Sequence, residues 1–104
     1  MPKYVLTYHG GSMADDPAEQ ERVMTAWMNW FGGLGDSVVD GGAPFAVSST
    51  ITSDRSVSQP GRAGLTGYSI ISADSLDEAC AKAQGCPVLD GAGSIDVYES
   101  APMG

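Results

Sequence analysis

The first apolar residues of the chain alternate with other residues in a two-residue period. Over Lys3–His9 this period divides the side chains between two faces of an extended segment, which is typical of a β-strand. One face carries Tyr4, Leu6 and Tyr8, and the other carries Val5, Thr7 and His9. The pattern predicts a first strand that ends at the glycines and serine of 10–12.

Two later segments repeat their apolar residues every three or four positions, as amphipathic helices do. The first is predicted over about 17–31 and the second over about 75–84, each followed by glycine, at Gly32 and at Gly85. The side chains that could cap their first turns are Asp15 or Asp16 for the first helix and Asp74 or Ser75 for the second.

Three further segments have the composition of strands. The second strand is predicted over 37–51 with a bend at its glycines, the third over Leu65–Ser72 and the fourth over 94–98. The polar stretch 53–64 is predicted to be a loop. The order strand, helix, strand, strand, helix, strand is that of a ferredoxin-like sandwich. We therefore expect a single α+β domain spanning 1–104, with both helices on one face of the sheet.

Several of these strands are apolar on both faces, whereas a sheet with one solvated face carries polar residues there. Examples are Val5 between Tyr4 and Leu6, and Ile70 beside Ile71. An uncovered apolar face would form a large exposed patch. We therefore expect a partner to cover the second face, most simply a second copy of the chain about a two-fold axis.

Composition narrows the classes of partner. Thirteen acidic residues and five basic ones give a net charge of −8, which disfavours nucleic acid and anionic membranes as partners. No apolar run is long enough to span a membrane and the start does not resemble a signal peptide, so a cytoplasmic location is expected. Cys80 and Cys86 do not have a zinc-binding spacing, and no nucleotide-binding glycine motif occurs, so no metal or cofactor is expected.

The candidate chemistry centres on His9, the only histidine. Histidine exchanges protons near neutral pH, and a strand end beside glycines is a common position for site residues. Asp40 and Asp90 each stand beside glycines, so either carboxylate could orient His9 as a general acid or base. In the alternative interpretation His9 is an ordinary strand-end residue and the aspartates only make turns, which suits Asp90 better than Asp40.

Aromatic residues are the candidates for binding a flat organic ligand. These candidates are Tyr8, Trp27, Trp30 and Phe45. One of the two tryptophans, Trp27, is expected in the core, and the other could line a pocket. In the alternative and more common arrangement both pack under the sheet, and the tyrosines contribute to an aromatic seam between two copies.

Three segments together resemble the YCII-related family. They are the opening strand Lys3–His9, the stretch VVDGGAPF at 38–45 and the stretch GCPVLDGAGSIDVYE at 85–99. The second is similar, in looser form, to the DGPF signature of one branch of the family. The likeness covers nearly the whole chain. It implies a dimeric α+β barrel, in which two ferredoxin-like sheets face each other across a shared cleft.

For function, the resemblance implies a His–Asp pair in that cleft, and the family includes a dehydrochlorinase. YCII proteins carry their histidine on the first helix, but the matching stretch 23–27 has none, so the pair of the family cannot be carried over directly, and any such pair here would need His9 at the end of the first strand. Two functions are therefore expected as alternatives. One is a cofactor-free lyase or isomerase that uses His9 with Asp40 or Asp90 on a small organic substrate. The other is a non-catalytic dimer that binds a small molecule or a regulatory partner.

Overall fold

The structure, a computed structural model, describes residues 2–10, 16–90 and 93–101. Its helices and strands are β1 (Lys3–His9), α1 (Pro17–Leu34), β2 (Val38–Pro44), β3 (Thr50–Ile51), β4 (Val57–Ser58), β5 (Leu65–Ser72), α2 (Leu76–Ala83) and β6 (Ser94–Glu99). Short 3₁₀ turns follow the two helices, at Gly35–Ser37 and Pro87–Asp90. The predicted turn residues 11–12 and the cap candidate Asp15 lie outside the described residues.

Four strands form one antiparallel sheet in the order β2-β5-β1-β6. β1 lies inside the sheet, where Leu6 is opposite Ser69 of β5 and Val97 of β6. Side chains of both helices pack against the face of the sheet that carries Tyr4 and Tyr8. The predicted α+β class, with four main strands and two helices, is therefore confirmed.

The core lies between that face and the two helices. Tyr4, Leu6 and Ile71 of the sheet are completely or almost completely buried. Ala79 and Ala83 of α2 are buried against them, because a small side chain lets the helix approach the sheet closely. Burial of a leucine or isoleucine side chain contributes about 1.5–3 kcal/mol, so this layer is the main source of stability.

Both helices begin at the type of cap that the sequence predicts. The Asp16 carboxylate accepts a hydrogen bond from the Ala18 amide at 3.1 Å. The Ser75 hydroxyl accepts from the Glu78 amide at 3.1 Å, and the Glu78 carboxylate accepts from the Asp74 amide at 3.0 Å. These side chains satisfy amide groups that have no partner within the helix.

The first helix is longer than predicted. It continues through Gly32 and Gly33 to Leu34, whose side chain packs against the core. That packing outweighs the low helix propensity of the two glycines, about 1 kcal/mol each. The helix ends at Gly35, where φ is +56° and the amide donates to the Phe31 carbonyl.

The second predicted strand is correct only in its first half. β2 ends at Pro44, residues 45–49 form no regular structure, and Thr50–Ile51 pairs with Val57–Ser58 in a separate two-stranded hairpin. Half of that hairpin lies within the stretch predicted as a loop. We call residues 45–64, which contain the hairpin, the arm. The prediction is wrong here because the composition of 45–51 does not reveal which strand it pairs with.

The face of the sheet opposite the helices is the open face. Cross-strand register aligns Asp40, Ile70, Val5 and Tyr98 in one row across it, and Tyr68, Thr7 and Asp96 in the next. Apolar and polar side chains therefore share this face, which is less apolar than the sequence pattern indicates. In the described part of the chain, no helix has the length and apolar composition needed to cross a membrane.

Candidate functional site

The open face holds a histidine–carboxylate contact at the end of β1. His9 Nε2 lies 2.8 Å from Asp96 Oδ2. The two side chains meet because Asp96 is opposite Thr7 in the β1–β6 register, which puts it diagonally across from His9 on the same face. The His9 side chain is 30% exposed and that of Asp96 is 55% exposed. His9 thus has a positioned carboxylate partner and remains accessible from solvent.

This contact determines which nitrogen of His9 can react. A carboxylate oxygen only accepts hydrogen bonds, so Nε2 carries the proton and the neutral ring has its lone pair on Nδ1. A ring held in this tautomer can take a proton at Nδ1, and the charge of Asp96 then stabilises the imidazolium. In open solvent such a pair contributes at most about 1 kcal/mol, so covering the open face would strengthen it.

Asp40, one of the two predicted partners of His9, is too distant to contact it within one chain. Asp40 on β2 is opposite Ile70 on β5, which is opposite Val5 on β1. Asp40 is therefore two strands away from β1, at the level of Val5, which precedes His9 by four residues. Strands are about 4.8 Å apart and residues rise about 3.4 Å, so the two backbone positions are separated by about 17 Å. The expected His9–Asp40 pair does not form in the single chain.

Asp90, the other predicted partner, is the exposed last residue of the 3₁₀ turn Pro87–Asp90 that precedes β6. The carboxylate beside His9 is that of Asp96, a residue that the sequence analysis missed. The available signal was its position in β6, where it alternates with the inward-facing Ile95 and Val97. The periodicity places Asp96 on the outer face, but the strand register is needed to place it beside His9.

Asp40 belongs to a second cluster on the open face, with Tyr68 and Phe45. Its Oδ2 atom accepts a hydrogen bond from the Tyr68 hydroxyl at 3.2 Å, and its Oδ1 atom accepts one from the Gly42 amide at 2.8 Å. Phe45 stacks on Tyr68 with ring centroids 5.8 Å apart and an interplanar angle of 23°. The charge of Asp40, more than its hydrogen bond or burial, raises the pKa of Tyr68 above the ordinary value of 10.0.

Gly42 makes this cluster possible by letting β2 approach β5 closely. Its φ is +79°, and a Cβ atom at this position would lie 1.7 Å from the carbonyl oxygen of Tyr68. The register between the two strands shifts between Asp40 and Ala43, as in a β-bulge. Only glycine fits here, and the bend directs Asp40 toward the Tyr68 hydroxyl.

Three of the four aromatic candidates lie in the layer between helices and sheet. The rings of Tyr8 and Trp27 meet edge to face with centroids 5.3 Å apart. Trp30 packs against Trp27, and its Nε1 atom donates to the Lys82 carbonyl at 3.1 Å. The alternative interpretation, with both tryptophans under the sheet, therefore matches the structure. Of the four candidates, Phe45 is the one that meets the open face.

A buried hydrogen-bond chain links this layer to the bend in β2. The Tyr8 hydroxyl donates to Ser69 Oγ at 2.7 Å, and Ser69 Oγ donates to the Gly41 carbonyl at 2.8 Å. Burial raises the pKa of Tyr8, and it also raises that of Cys86, to about 11. Cys86 is buried in the core, and a buried thiol with a raised pKa is a poor nucleophile, so Cys86 acts as a packing residue.

Within 2–10, 16–90 and 93–101, no three His, Cys, Asp or Glu side chains are grouped as a metal ion would require. The candidate site consists of the pair His9–Asp96 and the neighbouring cluster of Asp40, Tyr68 and Phe45. No model of a known protein family matches the chain, and no curated protein matches it.

Proposed function

We propose that this chain is a cofactor-free enzyme, a lyase or isomerase that moves a proton of a small organic substrate on the open face. His9 is the general base, and Asp96 is the residue that orients it. The observation that carries the proposal is the 2.8 Å contact between His9 Nε2 and Asp96 Oδ2. In this role Asp96 replaces Asp40 and Asp90, the partners expected from the sequence.

The reaction begins when Nδ1 of His9 accepts a proton from a carbon of the substrate. In a lyase the electron pair left on that carbon forms a double bond and expels a leaving group from the adjacent atom. In an isomerase the imidazolium returns its proton to a different carbon. Asp96 stabilises the charged ring in both cases, and such general base catalysis contributes typically 10²–10⁴-fold in rate.

The proposal includes a homodimer in which two open faces meet, as the resemblance to the YCII-related family implies. The strand order β2-β5-β1-β6, with both helices on one face, supports a ferredoxin-like sandwich of the kind that builds a dimeric α+β barrel. Tyr98 is 57% exposed on the open face, and Val5 and Ile70 are half-buried beside it. A second copy would cover these apolar groups and exclude water from the His9–Asp96 pair.

The first test measures the tautomer of His9. Nitrogen NMR of the ring, which needs no assignment because the chain has one histidine, is expected to show protonated Nε2 and unprotonated Nδ1 in the neutral form. Asp96→Asn removes the charge of the partner and is expected to shift the population toward the other tautomer. Asp90→Asn is the matched control and should leave the ring signals unchanged. Equal spectra for wild type and Asp96→Asn would contradict the pairing.

The second test looks for proton transfer without knowing the substrate. Ketones, enolisable acids and chlorinated aromatic compounds are incubated with the protein in deuterated water, and exchange of carbon-bound protons is followed by NMR. Wild type is expected to accelerate exchange in at least one compound class, His9→Gln to abolish it and Asp96→Asn to reduce it. Full activity of His9→Gln would exclude His9 as the base.

A second candidate function is binding of a small ligand without catalysis. The observation that favours it is the accessible stack of Phe45 on Tyr68 beside the Asp40 carboxylate. An open groove of about 360 Å³ between 44–50 and 61–65 adjoins Phe45 and is of the size that small ligands occupy. Ligand titration that perturbs the signals of Phe45 and Tyr68 but not those of His9 would favour this function over the enzyme.

A further inference from the structure

The arm, residues 45–64, carries apolar side chains that remain exposed in a single chain. Val47, Ile51 and Val57 are 89%, 69% and 63% exposed. The two short strands of the arm pair with each other and not with the main sheet. The radius of gyration is 15.2 Å, whereas a compact chain of this length has about 13 Å. The arm therefore presents apolar surface away from the core of its own chain.

Local hydrogen bonds nevertheless give the arm a defined shape. At its tip, the Asp54 carboxylate accepts from the Ser56 hydroxyl at 2.6 Å, from the Ser56 amide at 3.0 Å and from the Thr52 hydroxyl. At its base, the Arg62 amide donates to Thr50 Oγ1 at 2.8 Å. An isolated two-stranded hairpin is at best marginally stable in water, so an arm of this kind needs a second surface to pack on.

The charge of the arm indicates which surface that is. Arg55, Arg62 and Asp54 give the arm a net charge of +1, so the remaining residues of the chain, with a total of −8, carry −9. Two such bodies brought face to face would repel each other. A positively charged arm placed against the acidic body of a second copy reduces that repulsion.

The area of the open face also favours a second copy of the chain as the partner. Four strands about 4.8 Å apart and about seven residues long give a face of roughly 19 by 24 Å, or about 450 Å². A stable interface buries about 800 Å² on each partner. The flat outline of the open face is about half of this area, and the exposed side chains of the arm would add to the surface that the dimer buries. Phe45, at the base of the arm, already joins it to the open face by stacking on Tyr68.

We propose that the arm of each protomer packs on the body of a second copy, beside the open face, so that Val47, Ile51 and Val57 form part of the dimer interface. The inference rests on the dimer in the proposed function but does not depend on catalysis. In the dimer, each open face is covered by the other protomer, and each arm reaches past the edge of the sheet onto its partner.

The test is the dissociation constant of the dimer for an arm variant that combines Val47→Ser, Ile51→Ser and Val57→Ser. These side chains are exposed in the single chain, so the substitutions should leave the fold intact, as circular dichroism would verify. Sedimentation equilibrium over micromolar concentrations is expected to show dimerisation weakened by about a hundredfold or more, since three apolar side chains leave the interface.

The matched control combines Met24→Ser and Met28→Ser on α1. These side chains are 64% and 70% exposed, comparable with those of the arm, but they belong to the helix that lies behind the sheet. The control variant is expected to dimerise like the wild type. Equal dissociation constants for the arm variant and the wild type would overturn the proposal, and so would equal weakening in the arm and control variants.

A mixed dimer locates the contact directly. One protomer carries labelled valine and isoleucine methyl groups and the other is unlabelled, and isotope-filtered NOEs are recorded between them. NOEs from the methyl groups of the arm to the unlabelled protomer are expected, and their absence in a stable dimer would overturn the proposal. NOEs to protons of the labelled protomer alone would show that the arm folds back on its own chain.

Ile70→Lys on the open face separates the failure of this inference from the failure of the proposed dimer. If Ile70→Lys dissociates the dimer and the arm variant does not, the open-face dimer stands and the arm inference fails. If the arm variant dissociates it and Ile70→Lys does not, the arm forms the interface without the open face. A wild type that is monomeric throughout contradicts both, and leaves the arm as a surface for a different protein.

Discussion

Replacing Gly42 with alanine should force β2 and β5 apart. The new Cβ atom would lie 1.7 Å from the carbonyl oxygen of Tyr68, 2.6 Å from its carbonyl carbon and 3.1 Å from Cα of Ser69. All three are backbone atoms of a paired strand, so no side-chain rotation can relieve the contact. The φ of +79° adds a second conflict, because an L side chain rarely adopts that conformation.

The expected loss of stability follows from these two conflicts. Placing a residue with a Cβ atom at left-handed φ costs about 1–2 kcal/mol. Forcing an additional carbon into a packed structure costs about 1–3 kcal/mol. Gly42→Ala should therefore lower the free energy of unfolding by about 2–5 kcal/mol, a large part of the roughly 5–15 kcal/mol that holds a domain folded.

Two other glycines serve as controls that separate the cost of the positive φ from the cost of the close contact. Gly64 has a φ of +66° and nothing within 4 Å of a built Cβ atom, so Gly64→Ala should lose only about 1–2 kcal/mol. Gly41 has neither a positive φ nor a close neighbour, so Gly41→Ala should stay near the wild type. Urea unfolding at one protein concentration measures all three variants. If Gly42→Ala is no less stable than Gly64→Ala, the close approach of the two strands is refuted.

Three further outcomes are expected. Ser69→Ala removes the buried acceptor of the Tyr8 hydroxyl and should lower the free energy of unfolding, measured in urea, by about 1–3 kcal/mol. An unchanged free energy of unfolding would show that water replaces the serine hydroxyl. Asp40→Asn should lower the pKa of Tyr68 toward 10.0 in a titration of ring-labelled tyrosine. The raised pKa of Tyr68 stabilises the folded wild type below pH 10.0, and this stabilisation is lost as pH rises through the pKa of Tyr68 in the folded state. At alkaline pH the wild type should therefore lose stability more steeply than Asp40→Asn. Cys86 should resist alkylation at neutral pH until the protein unfolds, because its thiol is buried and its pKa is raised to about 11; rapid labelling of the folded protein would contradict its placement.

The main strands and helices could be predicted from the sequence because their signals are local. The two-residue period of β1 correctly divides its side chains between two faces, and the structure shows that the face with Tyr4, Leu6 and Tyr8 is the buried one. Asp16 and Ser75 cap the helices through hydrogen bonds to amides two and three residues away. Such signals depend on neighbours in the chain, so they can be interpreted without knowledge of the tertiary structure.

The path of the chain after β2 could not be predicted in the same way. Residues 45–51 have the composition of a strand, but the chain leaves the sheet after Pro44, shortly past the bend at Gly42, where the backbone closely approaches Tyr68 of β5. That contact joins residues far apart in the sequence. The residues of 45–51 therefore enter the arm instead of extending the sheet.

The candidate site shows the same division between local and distant contacts. The sequence identifies His9 as the group that can exchange protons near neutral pH, and it identifies Asp40 as a residue at a glycine bend. It does not identify Asp96 as the partner of His9, because the two residues are 87 positions apart. Their contact depends on β6 pairing with β1 in one particular register, and a shift of one residue would turn Asp96 to the other face.

By itself, the sequence determined the two helices with their caps, the main strands, the division of β1 into two faces and the acidic charge. Each of these depends on residue type and on spacing within a few positions. The tertiary structure alone decided the strand order, the pairing of His9 with Asp96, the Asp40–Tyr68 cluster and the exposure of the arm. The physical reason is that these features depend on which distant segments lie side by side and in which register, and neither is encoded by a local pattern.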